Sequence, residues 1–169
     1  MIYFFTGMPL SGKSTIARRL AAEEDLRYLS TGEYARSLGM GMEDSIRTRD
    51  LSDRFDAQII ERVIKECSSD NVIIDGFPRS IEQINVIMEN ISLDYVIYFV
   101  TANPLVIFDR MESRSTIEGR PEDNYDIVAS RIERSNEWRR ELMATCQGVK
   151  LVRADDFMLD PRKVIEILE

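Results

Sequence analysis

The sequence predicts an α/β fold: a five-stranded parallel sheet with helices on both faces. Three observations carry that prediction. Five short runs rich in β-branched and aromatic residues recur along the 169 residues, segments of helical periodicity separate them, and a glycine-rich turn follows the first run. Alternation of strand and helix packs as a parallel sheet between helical layers.

In chain order, Ile2–Thr6 is apolar throughout, which suits a strand buried on both faces. Residues 7–14 read Gly-Met-Pro-Leu-Ser-Gly-Lys-Ser. Thr15–Glu24 then sets Ile16, Leu20 and several alanines on one side of a helix. Arg27–Leu29, Val72–Asp75, Tyr95–Val100 and Lys150–Arg153 read as the remaining strands. Asp53–Cys67, Ile81–Asn90, Leu105–Glu112, Ile127–Thr145 and Pro161–Leu168 read as helices. Two stretches break the alternation. Residues 37–52 form a connector with two glycines, and residues 113–124 form a polar loop with Arg114 and Arg120 around Gly119. No internal repeat, low-complexity tract or Pro/Gly/Ser-rich linker divides the chain, so residues 1–169 are expected to form one domain.

The turn at residues 7–14 is a complete G-x-x-x-x-G-K-S match between a strand and a helix. That is the context in which backbone N–H groups and a helix N-terminus present positive potential to an anion. Lys13 is placed for the β- and γ-phosphates of a nucleoside triphosphate, and the Ser14 hydroxyl for Mg²⁺. Gly7, Pro9, Ser11, Gly12 and Thr15 complete the expected donor-side wall. The fold class sharpens accordingly to that of the P-loop NTPases.

Composition removes several function classes. A net charge of −8 and a pI near 4.8 argue against a protein that coats nucleic acid. The absence of histidine excludes Ser-His-Asp and Cys-His mechanisms and the commonest zinc sites. Cys67 and Cys146 show no disulfide or zinc spacing, which fits a reducing compartment. The first apolar run has five residues and no basic leader, and no stretch approaches the roughly 18 apolar residues of a membrane helix. A soluble, cytoplasmic protein is the expectation. Its cations are 18 Arg and four Lys, a bias toward the planar fork that grips phosphate bidentately.

After the strand Val72–Asp75 comes Asp75-Gly-Phe-Pro-Arg79. An acid at the end of an apolar strand, near Ser14, suits a carboxylate that holds a metal-bound water. This string resembles the Asp-Gly-[Phe/Tyr]-Pro-Arg motif of the adenylate kinases, within the nucleoside monophosphate kinase family. Leu29-Ser-Thr-Gly32 followed by Arg36 is similar to that family's monophosphate-site motif. Gln83 matches its adenine-reading glutamine. Arg110-x-x-x-Arg114, Gly119-Arg120-x-x-Asp123-Asn124 and Arg131 resemble the short lid of its compact members.

The resemblance implies Mg²⁺-dependent transfer of the ATP γ-phosphoryl group to AMP by a monomer, with small-molecule nucleotides as partners and neither nucleic acid nor membrane. It implies a monophosphate-binding segment at about 30–68 and a lid at about 113–124. Thr31, Gly32, Arg36, Gly76, Arg79 and Gln83 would hold the monophosphate. Lys13, Arg79, Arg114, Arg120 and Arg131 would act on the transferring group, with Arg114 also meeting the donor, and Ser14 and Asp75 would hold Mg²⁺ directly or through water. Read from helical spacing alone, Arg110 fits a solvated helix face at least as well as a catalytic role, and Gln83 is open to a surface reading. Alternatives are a UMP/CMP or broad-specificity (deoxy)nucleoside monophosphate kinase, and a non-catalytic ATP-binding protein. The absence of an Asn-Lys-x-Asp motif ranks a GTPase low.

The chain departs from the family pattern in four places. Leu10 replaces a glycine usual in the phosphate loop. The segment between Arg36 and Asp75 is short, with Asp50-Leu-Ser-Asp53 near the place of a usual Val-Pro pair. Only Arg47 and Arg49 stand near the position of another usual arginine. No glycine lies near Ala154-Asp-Asp-Phe157.

Overall fold

The computed structural model describes residues 1–39, 53–118 and 123–155, with the side chains of residues 53–56 and 118 excepted. The strands are β1 (Ile2–Gly7), β2 (Arg27–Ser30), β3 (Val72–Asp75), β4 (Tyr95–Thr101) and β5 (Lys150–Arg153). The helices are α1 (Lys13–Glu23), α2 (Thr31–Ser37), α3 (Asp53–Glu66), α4 (Ile81–Asn90), α5 (Pro104–Glu118) and α6 (Tyr125–Thr145). The strands form one sheet in the order β2-β3-β1-β4-β5, and every pairing is parallel.

Alternation along the central strands builds the core on both faces. Ile2, Phe4, Val72, Ile74, Ile97 and Phe99 pack with Ile59 and Val63 of α3, Ile84 and Ile87 of α4, and Trp138 and Leu142 of α6. Phe5, Ile73, Tyr98, Val100 and Val152 face the other way, against Ala17, Leu20 and Ala21 of α1. Burying one such phenylalanine contributes about 1.5–3 kcal/mol. A third cluster of Met8, Ala102, Ile107, Met111, Val128 and Ile132 joins α5 and α6 to the phosphate loop at the carboxyl edge.

Register sets the site. Asp75 lies opposite both Phe5 of β1 and Ser30 of β2, while Gly7 lies opposite Val100 of β4. The three turns that follow β1, β2 and β3 therefore leave the sheet side by side, at the carboxyl ends where open α/β sheets bind ligands.

Several boundaries differ from the sequence reading. α1 begins at Lys13 rather than Thr15, inside the motif itself. Residues 31–37 form a helix that hydrophobic periodicity missed because it is short and half polar. α5 runs to Glu118, so the first half of the expected 113–124 loop is helical. Its polar residues stay inside the helix by bonding back to it: Ser113 Oγ donates to the Asp109 carbonyl and Thr116 Oγ1 to that of Glu112. α6 starts at Tyr125 rather than Ile127, capped by Asn124, whose side chain accepts from the Asp126 N–H. The expected helix Pro161–Leu168 and most of connector 37–52 lie outside the described residues.

Candidate active site

The phosphate loop is shaped by backbone constraints before any ligand is considered. Gly7 has φ 137°, and a Cβ there would lie 2.1 Å from the Val100 carbonyl oxygen. Gly12, at φ 89°, turns the chain into α1, whose first N–H groups point into the loop. Ser11 is fully buried, and its hydroxyl donates to the Met8 carbonyl at 2.8 Å, which places it inside the loop rather than on its rim. Leu10, where the sequence comparison expects glycine, takes a left-handed φ of 55°. Its carbonyl accepts from Arg110 Nη1 at 3.1 Å, while Arg110 Nη2 donates to the Ala154 carbonyl at 2.8 Å. Arg110 is thus half-buried and braces the loop against the end of β5, which corrects the reading of a solvated helix face. Burial lowers its pKa, with Asp155 acting in the opposite direction.

Lys13 stands at the centre. Burial is the largest cause lowering its pKa; Asp75 opposes that shift, and Arg79, Arg131 and Arg114 add to it by repulsion. Arginines from three separate segments therefore raise the positive potential at one ammonium group, and each shares a cavity wall with it. Such an arrangement is electrostatically poor when empty and is complementary to a polyphosphate. Asp75 is 2% exposed, and its Oδ2 accepts from the Tyr28 hydroxyl at 2.8 Å. Its Oδ1 is buried without a hydrogen-bond partner among the described residues.

The turn after β3 brings the predicted acceptor residues together. Gly76 has φ 88°, and a Cβ there would stand 2.7 Å from Thr31 Oγ1 and 2.8 Å from Arg79 Nη2. Thr31 is buried, with its hydroxyl donating to the Asp75 carbonyl at 3.0 Å. Arg79 Nε donates to the Gly76 carbonyl at 2.5 Å. A Cβ on Gly32 would have Arg36 Nη1 at 3.6 Å and Arg79 Nη2 at 4.0 Å, so both guanidinium groups flank that glycine. Gln83 is 4% exposed, and its Oε1 accepts from the Arg79 N–H at 2.7 Å. Its own N–H donates to Ser80 Oγ, the α4 cap. The surface reading of Gln83 is therefore wrong: a Ser-x-x-Gln cap pins the residue beside Arg79.

Near the end of α5, Arg114 donates through Nε to Asp123 Oδ2 at 2.7 Å and pairs through Nη2 with Oδ1. This fork joins the last turns of α5 to the segment entering α6. Arg131 of α6 lines a cavity together with Lys13 and acts on it electrostatically; Arg120 and Gly119 lie outside the described residues. Two cavities meet at Lys13. One of about 920 Å³ runs from Arg110 and Arg114 past Ser14 and Thr15 to Ser30, Glu33 and Arg36. A smaller one of about 90 Å³ is bounded by Gly7, Pro9, Gly76, Arg79, Arg131, Arg134 and Trp138.

Sequence reasoning missed Arg134 and Trp138, although they follow Arg131 by three and seven residues on one helical face. It missed Tyr28 and Arg18 as well. Arg18 Cζ lies 5.2 Å from the Tyr28 ring centroid, and the partnership with Asp75 spans 47 residues.

The chain matches the family described as AAA domain over residues 6–129. It is 31% identical to the adenylate kinase of Thermus thermophilus over 170 residues, spanning 95% of this chain and 90% of that protein. The chain belongs to the adenylate kinase family. The adenylate kinase of Caulobacter vibrioides is 28% identical over 84% of this chain and 81% of its own length. Among solved structures, the shikimate kinase of Bacteroides thetaiotaomicron superposes with a TM-score of 0.66 over 99% of this chain and 96% of its own, at 17% identity. That second likeness shows the fold alone. Family membership makes the protein a phosphotransferase of the nucleoside monophosphate kinase type. Among the described residues, no helix is long and apolar enough to cross a membrane.

Proposed function

We propose that this protein transfers the γ-phosphoryl group of ATP to AMP, yielding two ADP, as a cytoplasmic monomer of one kinase domain. In this reading residues 30–68 bind the monophosphate and residues 113–124 act as the lid. The observation that carries it is that Arg79, Arg114 and Arg131 line cavities that share Lys13 and act on it electrostatically, with the larger cavity reaching from Arg114 to Arg36. Phosphoryl transfer asks the protein to align two oxygens and offset negative charge, which cations fixed in advance do well.

The loop N–H groups of residues 7–14 and Lys13 hold the donor phosphates, with Pro9, Ser11, Gly12 and Thr15 shaping that wall. Arg36 and Arg79 clamp the acceptor phosphate against Gly32 and Gly76. Arg131, with Arg120 of the lid, offsets charge on the group in transit, and Arg114 meets the donor side. Gln83 and Thr31 favour AMP: a glutamine amide offers one donor and one acceptor to the edge of adenine.

The residues also suit Mg²⁺. Among the described residues, no three His, Cys, Asp or Glu side chains gather to cage a metal. Asp75 Oδ1, buried and without a hydrogen-bond partner among the described residues, instead suits a cation held mainly by phosphates and water, with the Ser14 hydroxyl as the second expected ligand. When bound, Mg²⁺ would neutralise the β- and γ-phosphate oxygens.

The test is ADP production with AMP, dAMP, CMP, UMP, dTMP and GMP as acceptors. AMP is expected to give the highest kcat/KM. A preference for CMP or UMP would move the enzyme to the pyrimidine kinases, and ATP binding without transfer to any acceptor would overturn the catalytic reading.

A further inference from the structure

We propose that Tyr28 is a positioning residue that locks the Asp75 carboxylate with one oxygen turned toward the divalent cation carried by the nucleotide. This rests on the reading of Asp75 as the cation-side carboxylate.

The main chain of Asp75 is already fixed. Its carbonyl accepts from Thr31 Oγ1, and the next N–H, that of Gly76, donates to the Phe5 carbonyl at 2.7 Å. Only the side-chain rotation remains to be set. Tyr28 sits opposite Ile73 in the β2–β3 register, two residues before Asp75 and so on the same face of the sheet. Its phenol spans that diagonal to reach Asp75 Oδ2.

The direction of this hydrogen bond is also determined. Arg18 Nε points at the phenol oxygen from 3.4 Å, and its guanidinium lies against the ring while pairing with Glu33. With a donor on that side, the phenol's own hydrogen goes to Asp75. Oδ2 is thereby occupied, and Oδ1 is the oxygen left without a partner among the described residues.

Removing the hydroxyl would free the carboxylate to turn. One opposing attraction is Lys13, on which Asp75 already acts electrostatically. An oxygen drawn to that ammonium is lost to the cation. Partners that orient metal-ligating groups typically alter metal affinity by about 10- to 100-fold when removed.

The experiment is Mn²⁺ binding to the full-length protein saturated with ATP, read by electron paramagnetic resonance, for wild type, Tyr28→Phe and Asp75→Asn. ATP affinity without metal is followed by Trp138 fluorescence. Tyr28→Phe is expected to weaken Mn²⁺ binding to the complex about tenfold and to leave metal-free ATP affinity within about twofold. Asp75→Asn is expected to weaken Mn²⁺ at least as much. Unchanged Mn²⁺ affinity in Tyr28→Phe, with loss in Asp75→Asn, would overturn the role of Tyr28 and leave the cation reading standing. Unchanged affinity in Asp75→Asn would overturn both. A lowered Tm in Tyr28→Phe with Mn²⁺ and ATP affinities falling together would reduce Tyr28 to a structural residue and likewise defeat the proposal.

Discussion

Gly7 and Gly76 occupy equivalent points in the two halves of the site, each where a strand turns outward with positive φ, yet they are required for opposite reasons. Around Gly7 the obstacle is backbone: the Val100 carbonyl oxygen stands 2.1 Å from a would-be Cβ, held by the β1–β4 ladder. Around Gly76 the obstacles are the ends of two side chains, Thr31 Oγ1 and Arg79 Nη2. The half around Gly7 is built from main chain and tolerates little. The half around Gly76 is built from side chains and can yield, but yielding displaces the Thr31 hydroxyl and the Arg79 guanidinium.

The sharpest way to break this contrast is Gly7→Ala, which should cost about 3 kcal/mol or more, because neither φ nor the carbonyl can adapt. Urea unfolding measures it, and a loss below about 1 kcal/mol would show that the loop gives way. Next is Arg79→Ala: turnover should fall by about 10²- to 10³-fold while ATP binding stays within a fewfold of wild type. Unchanged turnover would remove Arg79 from the site.

Gly76→Ala should have a smaller effect than either. The strained φ costs about 1–2 kcal/mol, and kcat/KM for the acceptor drops about tenfold through the displaced Arg79 guanidinium. Donor affinity should hold, and an equal loss on both sides would erase the contrast. For Gln83, two variants separate its duties. Gln83→Glu keeps an acceptor for the Arg79 N–H and should preserve stability while losing preference for AMP. Gln83→Leu leaves that part-buried N–H without this acceptor and should cost roughly a further 1 kcal/mol.

The smallest effect concerns charge. Lys13 has a folded pKa below its ordinary 10.5, so between that lowered value and 10.5 this side chain binds more protons in the unfolded chain than in the folded one. The contribution of Lys13 to apo-protein stability, read as wild type minus Lys13→Met, should therefore rise with pH across that window. Lys13→Met should remove that contribution and raise the neutral-pH Tm, at the expense of catalysis. A Tm that falls instead would mean the ammonium is stabilised in the empty site.

Much of this is legible in the chain because it is written locally. The phosphate loop, the Asp75–Arg79 turn and all five strands follow from contiguous residues, with strand ends displaced by one residue at most. α2 is also signalled, by the Ser30-x-x-Glu33 capping pattern whose serine accepts from the Glu33 N–H, but the same residues suit phosphate binding, which masks the cap. The sequence reading ends α5 early because its serines, threonine and arginine suit a polar loop, whereas the hydroxyls bond to carbonyls one turn back.

Sequence by itself determined the phosphate-gripping turn, the order of strands and helices, and the supply of arginines, since each depends on neighbours a few residues apart. Only tertiary structure decided that Arg110 braces Leu10 from 100 residues away, that Tyr28 meets Asp75, and that Arg134 and Trp138 share a wall with Arg79. Those pairings depend on strand order and register, which arise when both faces of the sheet are buried together, and no local pattern encodes which distant side chains then meet.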